Sequence, residues 1–119
     1  MTDKQAKGRL GEDTAVRLLE RAGFRILTRN FRTRFGEVDL VADDRGTIVF
    51  VEVKARTSHA FGAPAESVGR RKQERIIKAS EEYLAIERLT GRAVRFDVVG
   101  VDLSSNTFEH IKNAFEAGS

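Results

Sequence analysis

The chain has 119 residues, 40% of them hydrophobic and 33% charged, with a formal net charge of +3. That balance is ordinary for a soluble protein, and the length predicts a single domain over residues 1–119 with an ordered core from about 4 to 115. The absence of Cys excludes disulfides and thiolate metal sites, and only His59 and His110 remain for zinc, so any metal would need oxygen ligands. No apolar run approaches the roughly 20 residues of a membrane span, and Met1 to Arg9 lacks the apolar core of a secretory signal. Neither a membrane partner nor export is expected, and the cytoplasm is the expected location. The mild basic excess fits a polyanionic partner without requiring one.

From Lys4 to Ala22 the apolar residues Ala15, Val16, Leu18, Leu19 and Ala22 recur at helical spacing, and Gly23 marks the stop. Three stretches rich in β-formers follow, Phe24–Phe31, Glu37–Ala42 and Thr47–Arg56, and read as consecutive antiparallel strands. Thr57 to Gly69 holds the single Pro, Pro64, and reads as a long loop. A second helix spans about Arg70 to Arg88, and Val94–Leu103 alternates as another strand. The last segment, Thr107–Ala114, fits strand or helix equally. The order α-β-β-β-α-β predicts an α/β domain of the α+β, mixed-sheet kind.

Charged residues stand where this pattern calls for core. Side chains alternate along Thr47–Arg56, so Ile48, Phe50, Glu52 and Lys54 share one face and Val49, Val51 and Val53 the other. Such a strand is apolar on both faces and reads as central, where unpaired charge is costly. If Arg45 and Gly46 are the two central residues of the hairpin, paired residues have numbers summing to 91, which sets Asp39 opposite Glu52 and Glu37 opposite Lys54. A glycine bulge at Gly46 would instead shift that sum to 90 and turn Glu52 away from Asp39. In the first register two carboxylates face each other, and a divalent cation is the simplest neutraliser. Mg²⁺ or Mn²⁺ suits oxygen donors and keeps waters for a phosphate to displace, with the Val53 carbonyl as a further ligand.

Other polar residues lie on helix faces that point to the sheet. Glu12 lines up with Ala15, Val16 and Leu19, with Gly8 and Gly11 beside it to allow close approach. Gln73 heads the line Ile76, Ile77, Ser80 and Leu84. Arg29, Arg32, Arg34, Arg70, Arg71, Lys72 and Arg75 are the candidates for gripping phosphates, and the run from Arg70 to Lys72 opens a helix, where backbone N–H groups also attract phosphate.

Asp39 followed by Glu52-Val53-Lys54 resembles the D…ExK core of the PD-(D/E)xK nucleases. The wider string is GRLGE at Gly8–Glu12, Asn30-Phe31-Arg32, GEVDLVA at Gly36–Ala42, FVEVKAR at Phe50–Arg56, and Lys72-Gln73. Over about Gly8 to Phe115 it resembles the small bacterial YraN family, itself similar in layout to archaeal Holliday-junction resolvases. The resemblance implies a restriction endonuclease-like core with Asp39 and Glu52 as metal ligands, Lys54 beside the nucleophilic water and Glu12 as an additional acid. It also matches Gln73 to a polar helix position of related nucleases, while Val38 stands where the motif's Pro would. The activity it implies is metal-dependent phosphodiester hydrolysis of nucleic acid, with DNA, branched DNA included, as the expected substrate. The alternative is a non-catalytic nucleic-acid-binding or assembly module on the same fold; a third is an interaction protein in which Glu37 and Lys54 simply pair. A nuclease cutting both strands would work as a homodimer, but no dimer surface is legible.

Overall fold

The computed structural model describes residues 3–57 and 68–117, with side chains from Ala6 onward. The chain runs α1 (Asp3–Arg21), β1 (Arg25–Arg32), β2 (Glu37–Asp44), β3 (Thr47–Arg56), α2 (Arg70–Ile86), β4 (Val94–Asp102) and β5 (Thr107–Phe115). The strands form one five-stranded sheet in sequence order. All neighbours are antiparallel except β3 and β4, which run parallel. A parallel pair needs a crossover, and the chain between β3 and β4 carries α2. Among the described residues no helix is long and apolar enough to cross a membrane.

Helices cover the two faces of the sheet. On one, Ala15 and Leu19 of α1 pack with Leu40, Ala42, Val49, Val51 and Val99. On the other, Ile76, Ala79 and Tyr83 of α2 pack with Val41, Ile48, Phe50, Phe96 and Val98. β3 supplies buried residues to both clusters, as its two apolar faces require. α1 comes close because Gly11 has no side chain: a Cβ there would lie 2.5 Å from the Ala55 Cβ. Gly8 has no such reason, since a Cβ would meet nothing within 4 Å among the described residues.

The β2–β3 hairpin takes the even register. Its pairs run from Asp44 with Thr47 to Leu40 with Val51. Arg45 and Gly46 both have positive φ, 52° and 97°, the signature of a type I′ turn, and the Asp43 carboxylate accepts the Gly46 N–H at 2.7 Å. The ambiguous last segment is an edge strand. Its Phe108, Ile111 and Phe115 carry helix-like spacing, but a register shift and a left-handed Asn113 (φ 53°) bring Phe115 back against Phe96.

Asp97, fully buried between β4 and β5, anchors this edge. Arg95 donates to both its oxygens, at 2.8 and 3.0 Å, and Asn113 N–H and His110 complete the shell at 3.0 and 2.8 Å. Burial pushes the Asp97 carboxyl up, but these hydrogen bonds more than offset it and hold the group below the ordinary carboxylate range.

Two outcomes follow in chemical denaturation. Gly11→Ala should lose about 1–3 kcal/mol by overpacking against Ala55, whereas Gly8→Ala should gain about 0.5–1 kcal/mol of helix propensity. Equal shifts would contradict the assigned approach. The depressed folded pKa of Asp97 means that its contribution is complete above the unfolded value of about 3.9 and is lost as pH falls through the folded one. Asp97→Asn should therefore cost about 3 kcal/mol near pH 7, with the deficit shrinking below about pH 4; a pH-independent deficit would contradict the assignment.

Candidate functional site

Past the Leu40–Val51 pair the β2–β3 ladder ends. The same register carried one step further puts Asp39 across from Glu52. There the Asp39 Oδ2 accepts the Val53 N–H at 2.8 Å, so a side chain from β2 takes the place of a ladder partner. The Asp39 and Glu52 carboxyls come within hydrogen-bonding reach of each other. Burial and then the Glu52 charge push Asp39 up to about 8, although the Val53 N–H pulls the other way. Glu12, from α1, adds a smaller push in the same direction.

Glu52 is 6% exposed and is met by the Lys72 Nζ at 2.9 Å, which reaches it from the start of α2. Burial works against the charge on Lys72, but the hydrogen bond to Glu52 and its charge prevail and raise the ammonium pKa. Lys54 shifts oppositely: burial, then the neighbouring Lys72, pulls it down. Glu12, Asp39, Glu52, Val53, Lys54 and Lys72 all line one cleft of about 970 Å³ at the edge where the two strands part. On the α1 side, Arg29 lies 2.6 Å from Asp13 and 3.8 Å from Glu12.

The oxygen-only donor set suits a hard divalent cation. Two acids facing each other, one of them, Asp39, raised by burial and by its neighbour's charge, are the arrangement that a cation relieves. Among the described residues no group of three or more acidic or imidazole side chains forms a ready ligand cage. An ion held by Asp39 and Glu52 would complete its shell from the Val53 carbonyl, water or a phosphate, the mode of Mg²⁺ sites.

The other sequence candidates distribute unevenly. Gln73 donates its amide to the Val68 carbonyl at 2.9 Å, beside the N-terminal end of α2, and is absent from the cleft lining among the described residues. Arg70 and Arg71 are exposed at the same helix start. Arg34, in the β1–β2 turn, stacks over Phe35 at 4.9 Å, and Arg75 of α2 packs its Cβ against that turn, 3.2 Å from where a Cβ on Gly36 would stand. Arg32 pairs with Glu37 at 3.6 Å. Glu37 is thereby directed to Arg32 on the neighbouring strand. Residues 58–67, with His59, Phe61 and Pro64, lie outside the described residues.

Lys72 is the residue that sequence reasoning underrated, placing it among surface phosphate contacts. A signal was there: Ile76, Ala79, Ser80 and Tyr83, the buried stripe of α2, lie four, seven, eight and eleven positions beyond it.

A family model described as "Uncharacterised protein family UPF0102" matches residues 11–101. Relatives described as UPF0102 proteins include one from Persephonella marina, 49% identical over 92% of this chain and 93% of its own length. One from Syntrophus aciditrophicus is 51% identical over 98% of this chain and 93% of its own. One from Trichlorobacter lovleyi is 52% identical over 94% of this chain and 91% of its own. The chain therefore belongs to the UPF0102 family, the same family as the YraN proteins that its motifs resemble.

Proposed function

We propose that the chain is a metal-dependent nuclease that hydrolyses phosphodiester bonds of nucleic acid, with DNA as the expected substrate and Mg²⁺ or Mn²⁺ as the ion. The observation that carries the reading is the meeting of Asp39 and Glu52 in an open cleft with two lysines against them. The bound ion would supply Lewis acidity toward the scissile phosphate and lower the pKa of a coordinated water. Asp39 and Glu52 would hold it, and Glu12 would add negative charge from the α1 side. Lys54, whose ammonium is destabilised by burial and by Lys72, is suited to orient the attacking water and releases its proton more readily than an exposed lysine. Lys72, once Glu52 serves a cation, is placed to neutralise charge developing on the phosphate.

The second reading, a nucleic-acid-binding or assembly module without turnover, is favoured by one contact: Lys72 already satisfies Glu52 from within the chain. Incubation of the full chain with Mg²⁺ or Mn²⁺ and branched, duplex or single-stranded DNA separates the two. Cleavage that falls about 100-fold or more in Asp39→Asn and in Lys54→Ala is expected. DNA binding without turnover in either metal would favour the module, and cleavage retained by Asp39→Asn would remove that residue from the chemistry.

Metal uptake should depend on pH in a stated direction. Asp39 holds its proton up to about 8 with only protein groups around it, so an ion must displace that proton. In calorimetry the apparent Mn²⁺ affinity should rise by up to about tenfold per pH unit below that value and level off above it. A flat profile between pH 6 and 8 would contradict the role given to Asp39.

A further inference from the structure

Beyond Asp39 the cleft opens into a second basin of about 880 Å³. Gly8, Glu12 and Asp39 line both, so they form the saddle between the two. The far wall carries Arg9 of α1 and Arg29, Asn30 and Arg32 of β1, with the acids Asp13 and Glu37.

Two residues of this wall depart from their local structure. Gly8 stands inside α1, where glycine is a poor helix former, yet a Cβ there would meet nothing within 4 Å among the described residues. Asn30 takes a left-handed φ of 55° inside β1. Departures of this kind gather at ligand sites as well as at bulges such as that at Asn113. Among the described residues the helix surface at Gly8 is bare, with room for a chain to cross α1. Acids stand beside two of the arginines: Arg29 is 2.6 Å from Asp13, and the exposed Arg32 is 3.6 Å from Glu37. Each guanidinium has five N–H donors, more than those contacts engage, and its fork matches phosphate oxygens.

We infer that the second basin receives the sugar–phosphate of the nucleotide flanking the linkage held at Asp39 and Glu52, and that the strand crosses α1 at Gly8. The inference rests on the nuclease reading and narrows it: the substrate is a polynucleotide strand that continues past the linkage into the second basin, not a mononucleotide or a terminal phosphate.

The test is equilibrium binding of the full chain, in Ca²⁺, to a fluorescein-labelled single strand of roughly a dozen nucleotides, followed by anisotropy. Arg9→Ala with Arg32→Ala should weaken binding about tenfold and reduce the salt slope by about 1–2. Gly8→Leu should weaken it with the salt slope unchanged, because no charge is removed. Gly8→Gln gives the same reading if the leucine variant does not fold, as its melting curve will show. Arg21→Ala with Lys112→Ala removes the same charge away from the cleft and should bind like the unaltered chain. Cleft variants that bind normally, or an equal loss in the Arg21 and Lys112 control, overturn the inference while leaving the nuclease reading intact. An unaltered chain that binds no single strand overturns the inference, while cleavage of duplex or branched DNA decides the nuclease reading separately.

Discussion

Two carboxylates brought together at the parting of β2 and β3 set the terms for everything around them. Asp39 and Glu52 sit where the sheet would otherwise be core, and Glu52 is 6% exposed. Like charges at such spacing repel, and burial removes the water that would screen them. Within the chain the strain is relieved in two ways: Asp39 keeps its proton to about 8, and Lys72 covers Glu52 at 2.9 Å. A divalent cation would do both jobs at once, freeing the proton and the lysine. On the proposed reading, the site would exchange this internally neutralised state for a loaded one.

The fold holds that pair in place from several directions. The type I′ turn at Arg45 and Gly46 sets the register that sends Asp39 toward Glu52. Gly11 lets α1 settle against Ala55, which brings Glu12 to the cleft wall. From the opposite face, the crossover between β3 and β4 delivers the first turn of α2 and with it Lys72. Helices on both faces bury the middle of β3 and β4 pairs along its length, so its charged end is carried by a rigid scaffold. At the other end of the sheet, Asp97 ties Arg95 and His110 together, and Arg95 also reaches Asp44 at 3.1 Å.

The elements were legible because their periodicities were strong: β3 is found at Thr47–Arg56 as read from its alternation, and α2 starts at Arg70. The even hairpin was one of two open registers; local sequence could not choose between them, since the choice rests on Arg45 accepting positive φ while Asp43 caps Gly46. β5 was ambiguous because a bulge resets its alternation, and a bulge leaves no simple mark in the pattern. Asp39, Glu52 and Lys54 could be picked out as charges in an apolar context. Lys72 carried a weaker signal, its alignment with the stripe of α2, because a lysine in the first turn of a helix can equally face solvent until the packing angle is known. Gln73, one position on, looked aligned with the stripe, but it turns back to the Val68 carbonyl. The second basin was not legible at all: it depends on how α1 and the edge strand β1 lie side by side, which only the tertiary structure fixes.

The central claim is that residues 39 and 52 together form a cation seat. Crystals soaked in Mn²⁺ and measured at a wavelength sensitive to its anomalous scattering address that directly. A peak between the two carboxylates, with the Lys72 ammonium withdrawn from Glu52, is the result the account requires. Saturating Mn²⁺ with no peak there, and with Lys72 still seated on Glu52, would contradict it.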